Sequence, residues 1–500
     1  MKRRSLRGMG LTAVLIASLT AGCAEAGTAD KAPEAGLESV NEPLSETDSE
    51  SGTLHAAGSG ESDKAKETME NHADGEHVIT ADGDEQSYSE IKVEKTGDSE
   101  GDEADFYGEN AAIFATNGAV LTLSDIEVHS NGTHANGVFS YGEGTVVNIA
   151  DSDIETEGDC SGGIMTTGGG TTNAEELTIH TSGRSSAAIR SDRGGGTVHV
   201  NGGAYTTDGT GSPVVYSTAD ITVEEAEMVS NASQGVVVEG QNSVTLNDVT
   251  LEANNNTKNS DKSDYFQAVM IYQSMSGDAQ EGTASFTMKD GSLTNLNGDV
   301  FFVNNTVAEI HLENADIDNQ GGGVFLRAAA AGWGNDGSNG GQVNLYAADQ
   351  DIAGDLMVDD ISLLNLYLSG DSSLEGAINP DGESGKVYVE LGEDVSWELT
   401  GDSYIGSLKC GADAIDLNGF KLYVGGTEYV SGSESAGEAY EIERGSGQAP
   451  PDGKGPGNGQ APPDGKGPDG KLGDISDPGG KPSADESDDL NGNLTEDAAE

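Results

Sequence analysis

Residues 111–118 read AAIFATNG, 136–144 NGVFSYGEG, 162–170 GGIMTTGGG and 187–196 AAIRSDRGGG, and PVVYSTAD follows at 213–220. Ile113, Val138, Ile164, Ile189 and Val215 head these runs at spacings of 25, 26, 25 and 26. A turn and an alternating strand follow each run, as in LTLSDIEV (121–128), VVNIADSDI (146–154) and TVHVNGGAY (197–205). Looser copies continue with GVVVEGQN from Gly235, AVMIYQSM from Ala268, DVFFVNNT from Asp299 and GVFLRAAA from Gly323. One such unit has no means of burying its own apolar face, so the units must stack.

The repeat length and the short β-branched runs select the architecture. They predict an all-β fold, a single-stranded right-handed parallel β-helix in which each coil supplies about three short strands. The rise per coil is one strand spacing, about 4.8 Å. Leucine-rich repeats are excluded by the missing leucine-asparagine pattern, and propeller blades need about 40 residues or more.

Alternation then assigns faces. The column Ile113, Val138, Ile164, Ile189, Val215 and the column Ala115, Ser140, Thr166, Ser191, Ser217 suit a narrow interior. The intervening residues Phe114, Phe139, Met165, Arg190 and Tyr216, with Tyr272 further on, fall outside. An outward aromatic strip has two readings. It is a contact surface for an extended ligand such as a sugar chain, or it is covered by loops or tail of the same chain. At 236–238, three consecutive valines leave the register open.

With 88 Asp and Glu against 24 Lys and Arg, the net charge is −64 and the pI about 4.1. That excludes ordinary nucleic-acid binding, which needs a basic face, and a polybasic contact with anionic lipid. The three cysteines, Cys23, Cys160 and Cys410, form no CxxC pair or Cys/His cluster, so no structural zinc site is expected. Cys160 and Cys410 belong to distant coils and are not expected to pair.

The N-terminus reads as an export signal. Lys2, Arg3, Arg4 and Arg7 precede a short apolar stretch, Leu11 to Leu19, which ends in Leu19-Thr20-Ala21-Gly22-Cys23. This resembles a bacterial lipobox, with Thr20 where Leu is usual, and it implies diacylation of Cys23 and an address on the outer face of the cell envelope. Residues 24–85 read as an acidic disordered tether, 86–430 as the β-helix, and 431–500 as a Gly/Pro-rich disordered tail. In that tail GQAPPDGKGPGN (447–458) is followed by GQAPPDGKGPDG (459–470). Two polar insertions, 254–266 and 332–342, leave the regular stack, where loops of repeat proteins often carry function.

The segments NAAIFATNGA, HANGVFSYG, SGGIMTTGGG, SSAAIRSDRGGGTV and MIYQSMSG resemble the pectin-lyase-like β-helix superfamily. They are most similar to glycine-rich, adhesin-like β-helix surface lipoproteins of Gram-positive gut bacteria. The resemblance implies the fold and the export class and carries no catalytic residue. The Gly-His-Gly and Arg-Ile-Lys motifs of polygalacturonases are missing, and Asp359-Asp360 lacks partners of that kind. The Trp-Ile-Asp-His run of pectate lyases is also missing. Gln267-Ala268-Val269 matches a pectin methylesterase segment whose companion motif is absent.

Four local candidates remain. Arg190, Asp192 and Arg193 place two guanidinium groups beside a carboxylate; the trio is either a seat for an acidic sugar or a surface ion-pair ladder worth little energy. Glu239 lies two coils away. His134 is a general-base candidate, although a solvated turn histidine fits it better. Asn335, Asp336 and Asn339 offer oxygen ligands of the kind Ca²⁺ takes, the one cofactor this sequence brings to mind. The expected role is binding or adhesion at the cell surface, to carbohydrate or to a host or envelope component, with contact to the membrane through the lipid alone. The expected ligand residues are Phe114, Phe139, Met165, Arg190, Asp192, Tyr216 and Tyr272. A polysaccharide lyase or glycosidase with a non-standard site, and a surface spacer without a ligand, are the alternatives. Replacing Cys23→Ala should release the protein into the medium or leave uncleaved precursor, as fractionation and blotting will show. Normal processing with retention on the membrane would refute lipidation.

Overall fold

Through residue 319 every coil gives one strand to each of three parallel sheets, and beyond it the strands Asp351–Ala353 to Ile415–Asp416 form a separate four-stranded sheet. In one of the three-strand coils the strands are Ile113–Thr116, Val120–Ser124 and Glu127–Ser130; in the next they are Val138–Tyr141, Val146–Ala150 and Asp153–Thr156. The first sheet has ten strands, Glu67–Asn71 to Asp316–Asn319. The second has eleven, Ile79–Asp82 to Leu356–Val358, and the third has fourteen, Glu85–Ser89 to Ser435–Ala436. The fold is a parallel β-helix. The computed structural model describes residues 66–442 apart from 263, 264, 275, 383 and 384. The export signal, Cys23, the tether before Lys66 and the tail beyond Ile442 lie outside the described residues.

The registers confirm the two inward columns. Ile113 pairs with Val138, Val138 with Ile164, Ile164 with Ile189 and Ile189 with Val215, and all five are buried in one continuous core. Ala115, Ser140, Thr166 and Ser191 pair in the same way two residues on. The valine ambiguity is resolved by pairing: Val236 and Val238 face the core, and Val237 faces outward. Toward the C-terminus larger rings fill the interior. Phe286, Phe301 and Phe325 pack at centroid distances of 5.6 and 5.5 Å, and the buried Trp397 donates its indole N–H to the Gly376 carbonyl at 2.9 Å.

The corners explain much of the remaining sequence. Between the third and first sheets the chain turns on a left-handed residue in every coil: Asp125, Asp151, Glu176, Glu225 and Asp248 all have φ between 48 and 53°. Short polar side chains visit this region more easily than other non-glycine residues. Between the first and second sheets, buried hydroxyls satisfy the turn. Ser130 donates to the Ala135 carbonyl, Thr156 to that of Ser161 and Thr207 to that of Ser212. In the first coil Lys95 holds this place, fully buried, with its ammonium on the Ala73 and Gly97 carbonyls at 3.0 and 3.1 Å. The same corner forces coils together so closely that a Cβ on Gly183 would lie 1.8 Å from the Gly158 carbonyl oxygen.

Two boundaries differ from the sequence reading. The stack starts at Glu67, inside the segment read as tether, because Ile79 and Ala81 pair with Ile113 and Ala115 and extend the core by a coil. Order also runs past residue 430. Ser435–Ala436 pairs antiparallel with Ser407–Cys410 and closes the edge of the third sheet, and Tyr440 exchanges two hydrogen bonds with the Asn365 amide. Cys410 is a buried free thiol and makes no bridge to Cys160. Gly183→Ala should lower unfolding free energy by about 1–3 kcal/mol or more through overpacking. Gly411→Ala, where a Cβ meets nothing within 4 Å, should be near neutral. Urea melts of the two variants check this, and equal melts would contradict the close approach.

Candidate ligand-binding site

The outward column of the second sheet runs, in register, Phe114, Phe139, Met165, Arg190, Tyr216, Val237, Met270, Phe302, Arg327. Alternation placed Phe114 to Tyr216 correctly. Tyr272 belongs to the neighbouring outward column, opposite Glu239. Of the two readings of the strip the covered one holds, since Phe139 and Met165 have no exposed surface and Phe114 and Tyr272 keep 3 and 5%. An apolar column facing water must be covered, and the chain covers it from both ends.

Over the N-terminal half lies the short helix Asp102–Tyr107. Its Phe106 is buried, and Tyr107 meets Tyr141 edge-on at 5.7 Å. Over the C-terminal half lie the two insertions. Tyr265 packs on Phe302 at 5.5 Å, Trp333 on Tyr272 at 5.2 Å, and the Gly332 N–H donates to the Lys262 carbonyl at 2.6 Å, joining one insertion to the other. The Asn339 amide nitrogen braces its loop by donating to the Ala331 and Trp333 carbonyls. The calcium candidates thus sit in a covering loop, with Asp336 exposed and Asn339 buried. Among the described residues no group of three or more His, Cys, Asp or Glu side chains could hold a metal.

Arg190 and Asp192 do share a face, but they are interior groups and form no surface ladder. Arg190 Nη2 contacts Asp192 at 2.9 Å and Asp105, on the covering helix, at 3.1 Å; all three side chains are at most 6% exposed. Arg193 Nε binds Asp278 at 2.6 Å, its Nη1 binds Asp102 at 2.9 Å, and its guanidinium lies 3.7 Å from the Phe106 ring centre. Two arginines therefore fasten the helix and the 276–282 turn to the sheet. His134, expected in solvent, is buried: its Nδ1 lies 2.8 Å from the Ser99 carbonyl and its Nε2 3.9 Å from Asp105. Burial and the neighbouring Asp278 and Asp105 push the Asp192 carboxyl up to about 8, against the pull of Arg190.

Between the two covers a gap of about 140 Å³ remains. Arg190 and Tyr216 stand on its sheet side, Tyr265 and Trp333 in its wall, and Lys258 and Gln267 on the insertion and the strand beneath it. Two fully buried polar atoms here have no hydrogen-bond partner, Arg190 Nη1 and Gln267 Oε1. Glu239 stands behind Tyr216 and Tyr272, whose hydroxyls both donate to its Oε2. Its Oε1 makes no well-formed hydrogen bond, although the Ser274 hydroxyl is close enough to favour the charged form. Burial raises the carboxyl of Glu239 and the phenols of Tyr216 and Tyr272 alike.

No known protein family, curated protein or solved structure matches this chain.

The third sheet carries a second set of rings. His311, Tyr346 and Tyr367 stack face to face at 4.7 and 4.9 Å, in register. Rings one strand spacing apart occupy one another's faces, so this ladder leaves only edges to a ligand. Along the second sheet burial removes the free faces instead, with Phe114 and Phe139 tilted at 59° under their cover.

Of the residues named from the sequence, Arg190, Tyr216 and Tyr272 line the gap. Sequence reasoning missed Asp102, Asp105 and Asp278, which reach the arginines across 85 or more residues, and no local signal marks them. Because the folded carboxyl of Asp192 lies above its unfolded value near 4, the stabilisation is complete at acid pH and is lost as pH rises through about 8. Asp192→Asn cannot ionise. Its melting temperature relative to wild type should therefore climb steadily from about pH 4 to about pH 8, read by thermal melts across that range. A constant difference would show that Asp192 is ionised throughout.

Proposed function

We propose that the chain is a saccharide-binding protein of the bacterial cell surface, anchored by lipid at Cys23, with its ligand seated in the gap over Arg190 and Tyr216. The observation that carries this reading is the gap itself, walled by Tyr216, Tyr265 and Trp333 beside Arg190 and Gln267, each of which also holds a buried polar atom without a partner. A buried polar atom without a partner costs roughly 1–3 kcal/mol, and native structures rarely leave one so. A sugar ring brings hydroxyls that both donate and accept, together with apolar faces suited to Tyr216, Tyr265 and Trp333. The N-terminal signal and the acidic surface agree with an exported, soluble body held at a membrane.

Binding is favoured over glycoside hydrolysis. Hydrolysis of a glycosidic bond typically uses two carboxyl groups flanking the bond, and none of the described residues lining the gap is Asp or Glu. Glu239 is screened by Tyr216 and Tyr272, and Asp192 is held on Arg190.

A glycan array followed by calorimetry tests the reading. Each aromatic contact is worth about 1 kcal/mol, so Tyr216→Ala and Trp333→Ala should each weaken binding roughly fivefold. Tyr346→Ala, in the stacked ladder, should leave binding unchanged. Absence of any glycan ligand, or equal affinity for all three variants, would remove the gap from consideration as a sugar seat.

A further inference from the structure

The sheet side of the gap is an apolar floor. Tyr216, Val237 and Met270 follow one another in the outward column, each about 4.8 Å above the last. Val237 and Met270 keep 4% of their surface, and Tyr216 is half-buried with its hydroxyl turned to Glu239. Arg190, next below in the column, has its charge engaged by Asp105 and Asp192. A sugar bearing hydroxyls alone would set polar groups against Val237 and Met270, which neither donate nor accept well.

Beside this floor stands Gln234, half-buried and also lining the gap. Its Oε1 accepts from the Ser233 hydroxyl at 2.6 Å, which sets the orientation of the carboxamide. Among the described residues its Nε2 meets only the Met270 thioether, at 3.9 Å, and a thioether is a weak acceptor. An amide N–H therefore stands over an apolar floor with a poor partner. The ligand group that suits this pair carries a carbonyl oxygen and a methyl on one carbon. An acetamido group does so, and it brings no charge to a floor that has no free counter-ion.

We propose that the sugar seated in this gap carries an acetamido group, its carbonyl received by Gln234 Nε2 and its methyl by Val237 and Met270. This rests on the gap being the saccharide seat, and it narrows the class of sugar that fits.

The test uses the full chain and matched probes, glucose against N-acetylglucosamine and galactose against N-acetylgalactosamine, titrated by calorimetry or NMR at pH 7. One amide hydrogen bond and one buried methyl should make each acetamido sugar bind about tenfold more tightly than its parent. Gln234→Leu, which removes the N–H, should cut that preference severalfold. Val237→Thr, nearly the same shape with a hydroxyl in the floor, should do likewise and remains decisive if the glutamine variant fails to fold. Parent sugars binding as well as the acetamido sugars would overturn the acetamido inference and leave the saccharide reading standing. D-Fucose, which is galactose with a methyl in place of its CH₂OH, gaining as much over galactose would show that a methyl suffices and overturn the role of Gln234. N-methylacetamide binding where no sugar does would support the acetamido seat and overturn the saccharide reading. No binding by any of these probes would overturn both, and a preference unaltered in both variants would overturn the seat on Gln234 and Val237.

Discussion

The hydrogen-bonded pairing of each coil with the next is the constraint on which the rest of the structure depends. Parallel strands in strict register place the same side-chain position of successive coils directly above one another. Each position thereby becomes a column, and a column has one environment. The Ile113 column is apolar along its length, aliphatic except at Phe301, because it fills a narrow interior shared by three sheets. The corner positions are also constrained, with a left-handed residue, mostly Asp or Glu, on one side and glycine against carbonyl on another.

The same constraint creates the problem that the site solves. Phe114, Phe139 and Met165 form a column that the pleat turns outward. Leaving it in water would forfeit roughly 1.5–3 kcal/mol per large side chain. The helix Asp102–Tyr107 and the two insertions bury it instead. Where Arg190 replaces the apolar residue, the helix supplies Asp105 and the sheet Asp192, because a buried charge left unpaired would be far costlier than the pair. The covers come from opposite ends, and the gap lies over Arg190 and Tyr216, walled by the two insertions.

Rings on the second and third sheets show how the same spacing yields different outcomes. On the third sheet, His311, Tyr346 and Tyr367 are consecutive in one column and stack on each other. On the second, Tyr216 is followed by Val237 and Met270 in its own column, and its hydroxyl turns toward Glu239. Only the interrupted column leaves a ring beside an open space.

The sequence by itself determined the fold class, the coil length, the inward columns and the outward orientation of Phe114 to Tyr216. These follow from two local periods, about 25 residues for the coil and two for the strand, and local periods are legible in one dimension. It also marked both insertions as departures from the stack. Tertiary structure alone decided that the outward column is buried, that His134 and Arg190 are interior, and that Glu239 lies behind two phenols. Those outcomes depend on Asp105 meeting Arg190 and Lys262 meeting Gly332, contacts across 85 and 70 residues between segments that carry no repeat. The physical reason is that burial of an outward face depends on which other segment covers it. That choice is made by packing and charge pairing between distant parts of the chain, and no neighbouring residue encodes it.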